Sequence, residues 1–283
     1  MAGTAGARGG RGAGSAKEKT RDLEAGIALL WGEQDQPTRG PKPSLTPRRI
    51  AEAAVALADA EGLDAVSMNK VAGEFGVSAM ALYRYVPGKA ELVDLMVEAV
   101  LAERPDLSAV GPGWRPRLKE WARRSWAVYQ RHPWLLAATA MRRQVMGPAQ
   151  LAWLDTALGV LEPTGLPGAE RHQVFLLVVG AVRNLAQQAA DFDEDRDREW
   201  NRLTGELLDR HADRFPSLTR AVAEGAFTTT GTGATPSAGS DTPAGSATPA
   251  TPVGSATPVD PFDFALDRIL DGVHLLIDRA EGV

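Results

Sequence analysis

Apolar residues recur along most of the chain at intervals of three and four, and alternating apolar and polar stretches of useful length are absent. That period lays one apolar stripe along a helix, so the pattern predicts an all-α protein. Four short patterns open the folded part. Thr46 followed by Pro47 predicts a helix start, with Ile50, Ala53, Ala54, Leu57 and Ala58 as the buried stripe up to Gly62. Ser67 is the expected cap of a second helix that turns Val71, Ala72 and Phe75 inward and ends at a left-handed Gly76. Ser78 is the expected cap of a third, short helix held by Leu82 and Val86. Pro87-Gly88 stops it, and Lys89 begins a fourth with Leu92, Val93, Met96 and Val100 inward.

Beyond residue 103 the patterns are longer and bulkier. Residues 114–136 place Leu118, Trp121, Ala122, Trp126 and Tyr129 at helical spacing and break at His132-Pro133. Residues 147–165 and 167–192 give two more helices. The second has little polar face between Val174 and Val182, so it must be buried against several partners, a subunit boundary being one of the options. The closing pattern, 262–280, with Phe264, Leu266, Ile269, Leu270, Val273 and Leu276, is its expected partner.

Punctuation sets the domains. Residues 1–18 are Gly/Ala/Arg low complexity, a short helical pattern with Leu23, Ile27, Leu30 and Trp31 follows near 20–31, and residues 35–45 form a proline-rich strap. Residues 228–260 are almost entirely Thr, Ser, Ala, Pro and Gly, which predicts a disordered linker. The expected division is a mostly disordered basic arm (1–44), a first helical domain (45–103) and a second (104–283).

Charge changes this picture in one respect. The net formal charge is -5, which argues against a protein coated in nucleic acid. Residues 1–50, however, hold nine Lys/Arg against five Asp/Glu, whereas 51–103 hold three against nine. The basic part is the leading arm. The absence of cysteine excludes disulfides, thiol nucleophiles and Cys-ligated metal. His132, His172, His211 and His274 include no i, i+4 pair, and the acidic run 191–199 reads as a solvated face, so neither metal nor cofactor is expected. No apolar run approaches the roughly 18–20 residues of a membrane span, and a cytoplasmic location with no membrane partner is the expectation.

Two short helices joined by a glycine turn fit a helix-turn-helix, whose second helix enters the major groove, or an ordinary helical corner. The third helix favours the former. Its outer positions, Ser78, Ala79, Met80, Ala81 and Tyr83, suit close approach to a groove better than solvent. The Tyr83 hydroxyl can donate to a phosphate, and Lys89 stands at a helix start. Two of the three tyrosines in the chain, Tyr83 and Tyr85, flank Arg84 here. The segments "RIAEAAVALADAEG", "SMNKVAGEFGVS" and "ALYRYVPGKAELVDLM" resemble, with their spacing, the DNA-binding domain of the tetracycline-repressor (TetR) family.

The resemblance implies a three-helix head followed by a helical ligand-binding and dimerisation domain. It puts Ser67, Asn69 and Lys70 at the start of the second helix, where the family touches backbone or bases. Ala79, Met80, Ala81, Tyr83 and Tyr85 take recognition-helix positions, and Lys89 the phosphate-clamping position. Asn69, Ala79 and Ala81 replace the arginine and polar readers of many members, which leaves direct base readout thin. Arg39, Lys42, Arg48 and Arg49 form a basic strap able to follow phosphates or the minor groove.

Residues 104–283 resemble the family's second domain more loosely. Trp121, Trp126, Tyr129, Trp134, Met141, Met146, Trp153, Phe175 and Asn184 are the candidate effector contacts, each with plain core as its alternative. The functional expectation is a homodimeric regulator, a repressor in most such proteins, holding double-stranded operator DNA with two heads about 34–36 Å apart. A small-molecule effector would release it. The competing readings are an enzyme, or a helical small-molecule-binding protein, with a non-functional head.

Overall fold

The computed structural model describes residues 23–33, 45–140, 146–224 and 260–281. Arg39, Lys42 and Met141 from the sequence expectations lie outside these residues, as does the 228–260 linker up to residue 259. All regular structure among the described residues is helical.

A short helix α1 spans 23–30 and buries Leu29, with Leu23, Ile27 and Trp31 exposed. The head follows: α2 (Pro47–Glu61), α3 (Met68–Glu74), α4 (Ala79–Leu82) and α5 (Lys89–Val100). Thr46 Oγ1 accepts from the Arg49 amide at 3.2 Å and Pro47 fills the first turn, where no amide is needed. Helix α2 packs against both α5 and α3. Being held on two sides, it buries Ala51 with Ile50, Ala54 and Ala58, while Ala53 and Leu57 stay half-buried.

The body comprises α6 (Trp114–Arg131), α7 (Leu135–Ala138), α8 (Pro148–Leu161), α9 (Gly168–Ala190), α10 (Glu194–Arg210), α11 (Pro216–Ala223) and α12 (Pro261–Glu281). Helix α6 packs on α8 and α9, and α9 on α12. A charge ladder fastens α12 to α6. Arg115 meets Asp271 at 2.6 Å, Lys119 meets Asp267 at 2.8 Å, and Arg123 meets Asp263 at 2.9 Å. Four-residue spacing on both helices keeps these groups on facing sides. Each exposed rung contributes about 1 kcal/mol at most, so the ladder aligns α12 while Leu266, Leu270 and Val273, buried on the same helix, hold it.

Beside the apolar packing of α5 on α7 and α8, three sets of polar contacts join head to body. Glu98 of α5 caps α8, its carboxylate accepting from the Ala149 amide at 2.7 Å and the Gln150 amide at 3.0 Å. A Cβ at Gly147 would stand 2.3 Å from the Glu98 side chain, so this cap needs glycine there. Trp153 Nε1 donates to the carbonyls of Leu101 and Glu103 just past α5. Asp59 of α2 accepts from Trp134 Nε1 at 2.6 Å, and His132 Nδ1 lies 2.8 Å from the same oxygen.

Candidate nucleic-acid interface and regulatory body

Helices α3 and α4 take their positions from the turn between them. Ser67 Oγ accepts from the Lys70 amide at 3.2 Å to start α3. Gly76, at φ 65°, reverses the chain, and the Val77 amide returns to the Ala72 carbonyl. A side chain at Gly76 would strain that left-handed turn. Ser78 occupies the cap position of α4, yet its side chain makes no capping bond. Regular helix covers only Ala79–Leu82. The chain then tightens as the Tyr85 and Val86 amides both reach the Leu82 carbonyl, which ends α4 earlier than the sequence pattern suggests.

Beneath this short helix Leu82 and Val86 are fully buried. Above it Met80 is 74% and Tyr83 46% exposed. Ser78 and Arg84 are exposed too, whereas Ala79, Ala81 and Tyr85 are half-buried, with Ala79 and Tyr85 packed on the core. Asn69 is exposed beside Lys70, whose Nζ meets Glu61 at 2.8 Å. Lys89 Nζ stands 3.5 Å from the Leu63 carbonyl, the outer limit of a hydrogen bond. Lys70 and Lys89 therefore border one corner, at 61–63, on either side of the α3 start. Arg48 pairs with Glu52 at 2.8 Å on the outside of α2, and the Arg49 guanidinium lies over the Phe75 ring.

The aromatic residues of the body divide. Trp121, Trp153 and Phe175 gather edge to face, with centroids 6.1 Å and 5.7 Å from Trp121, and Trp121 Nε1 donates to the Trp153 carbonyl at 3.1 Å. Tyr129 is buried further along the same side of α6. Trp126 faces Phe262 of α12 at 5.0 Å. Trp134 belongs to the head-body joint, Met146 is exposed, and Asn184 is exposed on α9. Of the eight candidates within the described residues, Trp153 and Phe175 come into contact with Trp121. Sequence reasoning missed Asp59, Glu98 and Gly147. A lone acid on a helix face carries no signal of what it will cap.

Carboxylates at these contacts respond to their surroundings. Burial first, and then the like charges of Glu91 and Glu98, push Asp94 up to about 6. Burial alone would raise Asp263, but hydrogen bonds from Lys119 and Arg123 outweigh it and hold the carboxyl below its ordinary value. The Arg115 hydrogen bond, with that from Arg268, holds Asp271 low. Among the described residues no group of three or more His, Asp or Glu could hold a metal ion, and no helix is long and apolar enough to cross a membrane.

Two short helices set by a glycine turn over a closed core, joined to a larger helical body, define a helix-turn-helix regulator with a companion domain. Comparison with known proteins gives the family. Residues 50–96 match "Bacterial regulatory proteins, tetR family", and residues 108–235 match "Tetracyclin repressor-like, C-terminal domain". The HTH-type transcriptional repressor DrrR1 of Streptomyces coeruleorubidus is 36% identical over 281 residues, covering 96% of this chain and 93% of that protein. An HTH-type transcriptional regulator of Saccharopolyspora erythraea is 33% identical over 210 residues, covering 72% and 86%. Apo ActR of Streptomyces coelicolor shares the fold at a TM-score of 0.66 and 22% identity, over 85% of this chain and all 100% of that one. ActR has also been solved in complex with actinorhodin, with a TM-score of 0.58, 24% identity, and coverage of 81% and 95%. The chain belongs to the TetR family and is a DNA-binding transcription regulator.

Proposed function

We propose that the protein is a homodimeric repressor that leaves its operator when a small molecule occupies the body. One observation carries the DNA-binding surface: α4 turns an exposed Met80 and Tyr83 outward while Leu82 and Val86 lock its other side. Large apolar side chains displayed on a helix too short to stand alone suit a groove. In this reading Ser67, Asn69, Lys70, Tyr83 and Lys89 meet backbone or base edges, and Ser78, Ala79, Met80, Ala81 and Tyr85 frame the contact. Arg39 and Lys42 add phosphate contacts from the arm, and Arg48 from the start of α2. Repression is supported by the likeness to DrrR1, and effector control by the likeness to ActR, which binds actinorhodin.

Dimerisation is supported by α9 and α12. Leu176 and Leu177 on one, with Phe264 and Leu275 on the other, stay exposed on the single chain. Between the two helices runs a largely apolar groove of about 560 Å³. Exposed apolar side chains on two packed helices are what a self-complementary two-fold interface buries.

The test is footprinting on the upstream region of the protein's own gene, with Tyr83→Phe plus Lys89→Ala as the variant. The double change should weaken every site alike, by tenfold or more, and reduce the salt slope by about 1. An absent palindromic footprint, or one the variant protects equally, would overturn the reading.

A further inference from the structure

At the joint with the head the body opens a cleft of about 250 Å³, separate from the tryptophan cluster except where Trp153 forms part of its wall. It lies between the end of α5, the chain just after it and the last two turns of α6. Val100, Val128 and Trp153 make its apolar wall, and Arg104, Arg124 and Arg131 line it with positive charge. Two of these guanidiniums are anchored. Arg104 is held by Asp155 at 2.6 Å and Thr156 at 2.8 Å, and Arg124 by Glu120 at 2.9 Å. Arg131 has no ion pair or hydrogen bond through its side chain among the described residues. Glu103 is the one acid among the lining residues.

A guanidinium without a partner beside a flat apolar wall matches an anion carrying a flat apolar body. A carboxylate takes the planar fork with two parallel hydrogen bonds, and rings lie on the tryptophan and valines. The volume is below the roughly 300–1,000 Å³ of sites for drug-sized molecules, which limits the occupant to one or two rings. We infer that this cleft binds a small aromatic carboxylate, with Arg131 making the charged contact. Its regulatory meaning rests on the effector-controlled reading above. The cleft borders both connections to the head: Val100 ends α5, and His132, also lining it, faces Asp59 of α2. An occupant therefore touches the end of α5 directly and α2 through His132, which meets Asp59.

Titration calorimetry of the full chain, without DNA, tests the site with 2-naphthoate and its neutral counterpart 2-naphthamide. The acid should bind at least tenfold tighter than the amide. Arg131→Gln should remove that advantage, and Arg131→Lys should restore part of it, since the charge returns without the fork. Arg131 is exposed, so both variants should keep the parent melting temperature. Equal binding of acid and amide, undiminished naphthoate binding in Arg131→Gln, or no naphthoate binding at millimolar concentration would each overturn the inference. A parallel gel shift with operator DNA separates the two proposals. Arg131-dependent binding without operator release supports the site and counts against effector control through it.

Discussion

The head and the body both display apolar side chains, in different arrangements. In the head they stand on a four-residue helix among polar and small neighbours, directly above a closed layer of Leu82 and Val86. In the body they stand on two long helices, with Leu177 of α9 53% and Leu275 of α12 59% exposed. A few isolated apolar groups suit a mostly polar partner such as a DNA groove. Larger exposed apolar area on long helices suits another protein surface. The joint between them combines apolar packing of α5 on α7 and α8 with directional polar bonds: a carboxylate on a helix start, an acid shared by Trp134 and His132, and an indole on two carbonyls.

The strongest break in the comparison should come from the two cores. Trp121→Ala, which empties a fully packed site and removes the indole bond to the Trp153 carbonyl, should cost about 3–5 kcal/mol in denaturant unfolding. Leu82→Ala should cost about 2–5 kcal/mol. Only the latter should also lower operator affinity in the molecules that remain folded, because Leu82 sets the height of Tyr83. Equal loss of affinity in both would mean that the head does not hold its interface by itself.

A smaller effect should follow at the joint. Gly147→Ala drives a methyl against the Glu98 carboxylate and should expel it from the α8 start, costing about 1–3 kcal/mol. In the variant, hydrogen exchange at the Ala149 and Gln150 amides should accelerate. Unchanged protection there would remove Glu98 from the coupling between head and body.

The mildest change concerns Asp94. Its folded-state value near 6 lies above the ordinary 3.8, so the native state binds a proton that the unfolded chain has already released. Stability from this group therefore falls as pH rises from about 4 to about 6 and is flat above that window. Asp94→Asn should remove the dependence and raise stability at pH 7.5, by no more than about 1 kcal/mol given its half exposure. Thermal melts of both forms across that pH range would show it.

Much of the head could be read directly. Thr46, Ser67 and Gly76 act locally, through bonds to residues two to four positions away, so their sequence neighbourhood contains the whole interaction. Ser78 marks the limit of that logic, since its hydroxyl occupies the cap position without capping. In the body, helical spacing identified the apolar stripes but not which of them meet. Trp121 finds Phe175 across 54 positions of chain, and Trp134 finds Asp59 in the other domain. The cationic cleft was equally hidden, because Arg124 and Arg131 of α6 meet Arg104 from the chain after α5 and Trp153 from α8, an approach that no local pattern encodes.

The sequence by itself determined that the chain is helical, where its short head helices start and turn, and which family it belongs to, because periodicity, caps and glycine turns are properties of adjacent residues. The tertiary structure alone decided which tryptophans pack together, that Glu98 and Asp59 bind the head to the body, and that Arg131 stands beside an apolar wall with no ion pair among the described residues. Those outcomes depend on distances between segments, and such distances are fixed only when the helices pack.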